Sequence, residues 1–357
     1  MKIQDIVNKV VKFFRADRTI PLMVVGSPGL GKSQAIAQAR DALAAELGEE
    51  VGLVDVRASL HDPTDFVGFP TIEEGRLRFA QPAFLPREET HPRHGLLFLD
   101  EIGQATPAVQ AALLQLCLDR RVGEYRLPDG WMIVAASNRR EDRAGANRLI
   151  SPLLDRFAYY EVEADLASWQ DWAAGAGIDP LVRAFLRWKP ECFSTFDPAG
   201  RETVFATPRS WAMVSRILPA LDSTDRLSTV EGLVGHGPAV EFEAFSLHAA
   251  ELPAIEAVIA DPSGLPLPSN ANLSVYHALV GSLAKEVGAR DLRDEQQARE
   301  VDAIVEYALR LPREFQVLAM RDFYRANEAV MALDRAGEWF TVNEQLMGGV
   351  VAHNRTR

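Results

Sequence analysis

Eight consecutive residues, Gly26-Ser27-Pro28-Gly29-Leu30-Gly31-Lys32-Ser33, fit the pattern G-x-x-x-x-G-K-[ST] of a loop that cradles phosphate. Glycines at these spacings let backbone N–H groups wrap a phosphate chain. A helix leaving the loop aims its positive end at the anion, the Lys32 ammonium reaches the terminal phosphates, and the Ser33 hydroxyl can ligate Mg²⁺. Such a loop needs a strand before it and a helix after it. Residues 21–25 (PLMVV) form a short apolar run. Beyond Gln34, Ile36, Ala39, Leu43 and Leu47 recur on one helical face.

A phosphate loop alone does not separate a hydrolase from a kinase or a switch, so the companions matter. Gly95-Leu96-Leu97-Phe98-Leu99-Asp100-Glu101 reads as an apolar strand ending in two acids. From the end of a neighbouring strand Asp100 would hold Mg²⁺, and Glu101 would polarise an attacking water. Surface turns also follow strands with Asp-Glu; the pairing with the loop gives this one weight. Residues 132–136 form another apolar run ending in Ser137-Asn138, where Asn138 can help position that water, although Asn commonly just ends strands. Ser151-Pro152-Leu153-Leu154-Asp155-Arg156-Phe157 sets Arg156 just before a last strand, where it could face a neighbouring subunit. In Ala206-Thr207-Pro208-Arg209-Ser210-Trp211 a proline opens a helix with Arg209 in its first turn. A cation there opposes the helix dipole, which points to an anionic partner for Arg209.

The elements that would position these groups alternate. Buried-strand patterns at 21–25, 51–56, 96–99, 132–136 and 157–162 are separated by loops and by a clear helix over 107–119. That alternation predicts a mostly parallel sheet covered on both faces. After about residue 165 strand patterns stop and amphipathic helices take over at 166–174, 180–188 and 209–218. A Pro/Gly cluster at 261–268 reads as a linker, and further helical pattern runs over 273–346. Residues 1–18, with Ile3, Ile6, Val7, Val10, Phe13 and Phe14 at helical spacing, predict an amphipathic helix that packs on the protein.

With 357 residues, 47% of them hydrophobic and 25% charged, the chain is long enough for two or three domains and far from the composition of disorder. The net charge of −12 argues against broad attraction to nucleic acid. Two cysteines, Cys117 and Cys192, lack zinc-ligand spacing and suit a reducing compartment; no run reaches the ~20 apolar residues of a membrane span, so a cytoplasmic protein is expected. His91 and His94 share a loop without a third ligand at a defined offset. Cys117 reads as a small core residue, and Trp169, Trp172, Trp188 and Trp211 read as helix packing.

In order and spacing these segments resemble Walker A, Walker B, sensor 1, the arginine finger and sensor 2 of an AAA+ ATPase. They are most similar to the MoxR family, through Asp62-Pro63-Thr64-Asp65-Phe66-Val67-Gly68 and Asp142-Arg143-Ala144-Gly145-Ala146-Asn147-Arg148. The resemblance spans roughly residues 21–250. It implies an α/β fold: an AAA+ P-loop NTPase parallel sheet flanked by helices over 1–165 and a small all-α lid domain over 166–250; the linker with a helical carboxy-terminal segment over 251–357 is read from the residue pattern alone. It further implies a homo-oligomeric ring, often a hexamer, with ATP and Mg²⁺ bound between neighbours. Residues 26–34 and Asp100 would bind nucleotide, Ser33 and Asp100 the metal, with Glu101 and Asn138 acting in the same subunit. Arg156 would reach the γ-phosphate of the next subunit, and Arg209 would couple the lid to nucleotide in its own; Arg139, Arg140, Arg143 and Arg148 could share or take the finger's role.

Two family insertions are also expected. Residues 64–86, with Phe66, Phe69, Phe79 and Phe84, resemble an insert near a central pore. Residues 120–131, with Val122, Tyr125 and Leu127 and a Pro128-Asp129-Gly130 turn, resemble a hairpin before sensor 1. Their aromatics could grip a client or simply anchor the insert. The implied activity is chaperone-like remodelling, assembly or activation of a partner protein, with a von Willebrand factor A domain protein as the suggested partner. The alternatives are an ATP-dependent assembly scaffold or switch with slow turnover, and a DNA-directed AAA+ motor, which the acidic balance disfavours. A small-molecule P-loop kinase would leave Glu101, Asn138 and Arg209 without a shared purpose.

Overall fold

The computed structural model describes residues 1–139, 141–142, 149–200, 202–250, 252–268, 273–343 and 345. The chain separates into two compact units. The first comprises residues 1–168 with 196–201 and 207–209, and the second the remainder.

In chain order the first unit runs α1 (Ile3–Asp17), β1 (Leu22–Val25), α2 (Lys32–Leu47), β2 (Val51–Arg57), α3 (Pro63–Val67), β3 (Phe69–Glu73), β4 (Arg76–Ala80), β5 (His94–Asp100), α4 (Pro107–Asp119), β6 (Arg121–Val122), β7 (Tyr125–Arg126), β8 (Trp131–Ser137), α5 (Ser151–Leu154) and β9 (Ala158–Glu161). Five strands form one parallel sheet in the order β2-β5-β8-β1-β9. The expected apolar runs all become these strands, with ends displaced by one or two residues, and α4 occupies the helix expected at 107–119.

Both faces of the sheet are buried, which is why its strands read as continuous apolar runs. Leu22, Val24, Leu96, Phe98, Met132, Val134 and Ala136 share one core with Ile6, Val10 and Phe14 of α1 and Ile36, Ala39 and Leu43 of α2. Met23, Val25, Leu97, Leu99, Ile133 and Ala135 point the other way, into a core with Val109, Leu113 and Leu116 of α4. Trp131 explains two glycines: a Cβ on Gly52 or Gly95 would lie 2.6 Å from its ring atoms. Helix ends follow local chemistry. The Thr106 side chain accepts from the Val109 N–H and Pro107 opens α4, while Gly48, at φ +67°, closes α2.

The two insertions are hairpins of different character. In the first, β3 pairs antiparallel with β4 from Phe69↔Ala80 to Glu73↔Arg76. Phe66 is fully buried and Phe84 stacks on His61, so these two anchor the insert, whereas Phe69, Ile72 and Leu77 stand 71%, 81% and 64% exposed. In the second, Val122 pairs with Tyr125, so the chain reverses at Gly123-Glu124 and not at the expected Pro128-Asp129-Gly130, which instead turns the chain into β8. The reason is tertiary: Gly123, at φ +57°, passes so close to Val67 that a Cβ would meet its carbonyl oxygen at 2.5 Å. Val122, Tyr125 and Leu127 are all buried, and the Tyr125 hydroxyl donates to the Pro86 carbonyl at 2.7 Å.

The remaining elements are helices, of which α6 and α8 begin with residues of the first unit and the rest belong to the second: α6 (Leu166–Gly175), α7 (Pro180–Trp188), α8 (Pro208–Ile217), α9 (Arg226–Val234), α10 (His236–Ala250), α11 (Ile255–Ala260), α12 (Leu273–Gly288), α13 (Glu295–Ala308), α14 (Arg313–Ala326) and α15 (Asp334–Val342). Phe185 lies at the aromatic centre of the second unit, with its ring 5.2 Å from Phe242, 5.3 Å from Trp211 and 5.7 Å from Phe245. A second core runs through Leu279, Val280, Leu283, Val301, Ile304, Val305, Phe315, Met320 and Phe323. Helices α7 and α12 approach closely: a Cβ on Gly281 would sit 2.9 Å from the Ala184 Cβ. The 261–268 stretch is pinned down, since Arg310 donates to the Pro262 and Leu265 carbonyls and the Tyr307 hydroxyl to that of Pro266.

Candidate functional site

Because β1, β5 and β8 are parallel neighbours, their carboxy-terminal ends emerge on one edge of the sheet, and the loops that follow meet there. Val25 pairs with Ser137, and the Gly26 N–H donates to the Ser137 carbonyl at 3.2 Å, which ties the start of the phosphate loop to the tip of β8. Gly29 and Gly31 take φ of +77° and +88°, a region that disfavours side chains. Gly31 is the N-cap of the 16-residue helix α2, so the N–H groups of its first turn face the loop.

The expected polar groups converge on this loop. The Lys32 ammonium donates to the Gly26 carbonyl at 2.6 Å, the Ser27 carbonyl at 3.1 Å and the Asn138 Oδ1 at 3.0 Å. The Ser33 hydroxyl donates to Asp100 Oδ2 at 2.9 Å. Lys32 is only 9% exposed, and burial pulls its pKa down from 10.5 to about 8, with the Arg209 and Arg139 charges in the same direction and Asp100 and Asp142 opposing. The site therefore holds a costly cation surrounded by neutral carbonyls, and phosphate oxygens would serve it better. Ser33 and Asp100 offer two hard oxygen donors side by side, a donor set that fits Mg²⁺.

Glu101 occupies a strained position, with φ +56°. Its surroundings hold it there: the Glu101 N–H donates to Asp100 Oδ1, the Ile102 N–H to the Ala136 carbonyl, and the Gln104 N–H to the Glu101 carbonyl. The Ser59 hydroxyl, just past β2, donates to Glu101 Oε2 at 2.5 Å. Ser59 escapes sequence reading because a serine after a strand belongs to no spacing pattern; only the pairing of β2 with β5 brings it to the acid.

The arginines divide. The Arg209 N–H donates to the Gly29 carbonyl at 3.2 Å, and beside it Thr207 packs so tightly that a Cβ on Gly29 would lie 2.7 Å from its side chain. Residues 207–209 thus belong to the phosphate-loop unit, and the Arg209 charge reaches Lys32. Arg139 is tied within its own chain, at 2.7 Å from the Glu161 carboxylate and donating to the Val162 carbonyl at 3.1 Å. Arg156 is 45% exposed and pairs with Asp155. It precedes β9, whose first residue Ala158 pairs with Leu22, so it lies at the opposite end of the sheet from the phosphate loop. Arg140, Arg143 and Arg148, with the rest of 143–148, lie outside the described residues.

The weaker candidates resolve as packing. His91 Nδ1 accepts from the Arg87 N–H and its ring meets Trp131 edge-on, while His94 Nδ1 bonds the Glu49 carboxylate. Among the described residues no cluster could hold a metal through His, Cys, Asp or Glu, and no helix is long and apolar enough to cross a membrane. Cys117 is buried, which pushes its thiol up to about 12.

Residues 21–157 match the family model described as AAA domain (dynein-related subfamily). Among curated proteins none matches the chain. Similar solved structures include NtrX from Brucella abortus in complex with ATP, at 16% identity and a TM-score of 0.35, covering 97% of this chain and 68% of that one. They also include a RuvB variant from Thermotoga maritima, at 17% identity and a TM-score of 0.38, covering 72% of this chain and 75% of that one. The matched segment runs from the strand before the phosphate loop to the residue before β9 and takes in Lys32, Ser33, Asp100, Glu101, Asn138 and Arg156. Residues 21–157 are therefore an AAA domain with the P-loop NTPase fold, and the chain that carries it is an ATPase.

Proposed function

We propose that this chain is a MoxR-like AAA+ ATPase that assembles into a ring and couples ATP binding and hydrolysis to the remodelling or activation of a partner protein. The observation that carries the nucleotide chemistry is the pair of hydrogen bonds Ser33–Asp100 and Lys32–Asn138, which join the phosphate loop to the tips of β5 and β8. Mg²⁺, held by Ser33 and Asp100, would supply charge neutralisation at the phosphates. Lys32 would exchange its carbonyl partners for phosphate oxygens, and the α2 amino terminus would bind the anion. Glu101, held by Ser59, would take the proton of the attacking water, which Asn138 would position. Arg209, anchored on Gly29, would link residues 207–209 to the nucleotide of its own subunit. Arg156, at the far end of the sheet, would act on the nucleotide of the next subunit.

A protein partner is favoured over nucleic acid by the net charge of −12 and by the exposed Phe69, Ile72 and Leu77 on the β3–β4 hairpin. A von Willebrand factor A domain protein is the partner the resemblance suggests, and the unpaired cysteines suit the cytoplasm. In a Glu101→Gln variant, ATP affinity should stay within about threefold of the parent while turnover falls by roughly two orders of magnitude or more. Binding by calorimetry and phosphate release by a steady-state assay check both; unchanged turnover would refute the role of Glu101. The same variant, loaded with ATP, should retain its partner in a pull-down.

A further inference from the structure

Two helices of the second unit each present arginines one turn apart: Arg183 and Arg187 on α7, and Arg321 and Arg325 on α14. Asp322 and Asp171 answer only half of them. Arg187 makes a forked pair with Asp322, Nη1 to Oδ2 at 2.7 Å and Nη2 to Oδ1 at 3.3 Å, and Asp322 is 3% exposed. Arg325 bonds Asp171 of α6. Arg183 is 7% exposed, yet among the described residues its Nε has no hydrogen-bond partner, and the buried Nε of Arg321 likewise finds none among them. Burial lowers the pKa of both guanidiniums, and each lies within the electrostatic reach of Arg187, Arg325, Asp322 and Asp171. His277, on α12, adds no charge at neutral pH, because burial takes it down to about 4.

Among the described residues, two of the four guanidiniums hold the two carboxylates and the other two feel them only through space, a surplus of two positive charges in a partly dehydrated layer of an otherwise acidic chain. A buried unpaired donor is costly, and a guanidinium offers its Nε and one Nη as a planar fork suited to an oxyanion. We infer that Arg183 and Arg321, supported by Arg187 and Arg325, form a second anion site, separate from the phosphate loop, for a compact dianion of the phosphate class. The dianion matches the surplus charge, and the orphaned Nε–H groups are the donors it would engage. The half-buried Arg321 and Arg325 leave a way in. Free phosphate and small phosphate monoesters share this chemistry.

The test uses the full chain with Lys32→Ala to weaken the first site, titrated with inorganic phosphate at constant ionic strength and followed by melting temperature. Phosphate should raise the melting temperature where chloride does not. Adding Arg183→Gln and Arg321→Gln should weaken the phosphate affinity by about tenfold or more, as expected for lost charge-assisted bonds. Glycerol 2-phosphate in a parallel titration separates the sources: tighter binding than inorganic phosphate supports a monoester ligand, equal binding a free ion. If the double substitution abolishes cooperative melting, Arg321→Lys keeps the charge but removes the fork and should still weaken phosphate binding. An equal rise with chloride, no rise with phosphate, or an undiminished rise in the substituted chains would overturn the site.

Discussion

Lys32 is the residue on which the energetics of the site turn. Its folded pKa, about 8, lies below the ordinary 10.5 because burial disfavours the ammonium. Below pH 8 it is protonated in both folded and unfolded chains, and the burial penalty is fully present. Between pH 8 and 10.5 the unfolded chain holds more protons, so this residue makes stability rise with pH across that window. Phosphate oxygens favour the charged form. ATP binding at pH 8 should therefore take up about half a proton at this residue, read by calorimetry in buffers of different ionisation heat. A Lys32→Met chain should show none of this uptake with whatever affinity it retains; equal uptake in both chains would show that the proton goes elsewhere. Glu101 illustrates the converse. Its type and place after an apolar strand were readable, but its left-handed backbone and its bond from Ser59 arise from tertiary structure.

At the scale of elements, the sheet was legible because both its faces are buried, so each strand announces itself as an apolar run. Helix α4 was legible down to its ends because Thr106 and Pro107 start it. The β6–β7 reversal was not, since Pro128-Asp129-Gly130 is the stronger local turn signal and Gly123 is fixed by its approach to Val67. Nor was the arginine layer of the second unit, where Arg183 and Arg187 look like the polar face of α7 until α14 packs across them. His277 in that region gives an element-scale prediction. Its folded pKa of about 4 lies below the ordinary 6.5, so it is neutral in both states above pH 6.5. As the pH falls toward 4 the unfolded chain gains a proton that the folded one does not, and stability is lost. Between pH 7 and pH 5 a His277→Leu chain should lose less stability than the parent, by about 2 kcal/mol, in denaturant titrations. An identical loss in both would assign the acid sensitivity to other groups.

For the whole molecule, the decisive feature is polarity of the sheet. The phosphate loop, Asp100, Glu101 and Asn138 cluster at the carboxy-terminal ends of the strands, and Arg156 lies at the other end, so the partner proposed for it is the nucleotide of a neighbouring copy. If Arg156 serves hydrolysis, a second copy must present it, and turnover becomes a property of the assembly. An Arg156→Ala chain should bind ATP normally and turn it over slowly; a Glu101→Gln chain should do the same for a different reason. Mixing the two inactive chains is the most direct measurement. A junction with intact Glu101 on one side and intact Arg156 on the other arises in about a quarter of randomly mixed interfaces, and ATPase activity should recover to about that fraction of the parent's. Activity that stays at the level of the separate variants, with mixed assembly verified, would contradict a site completed by the neighbouring subunit.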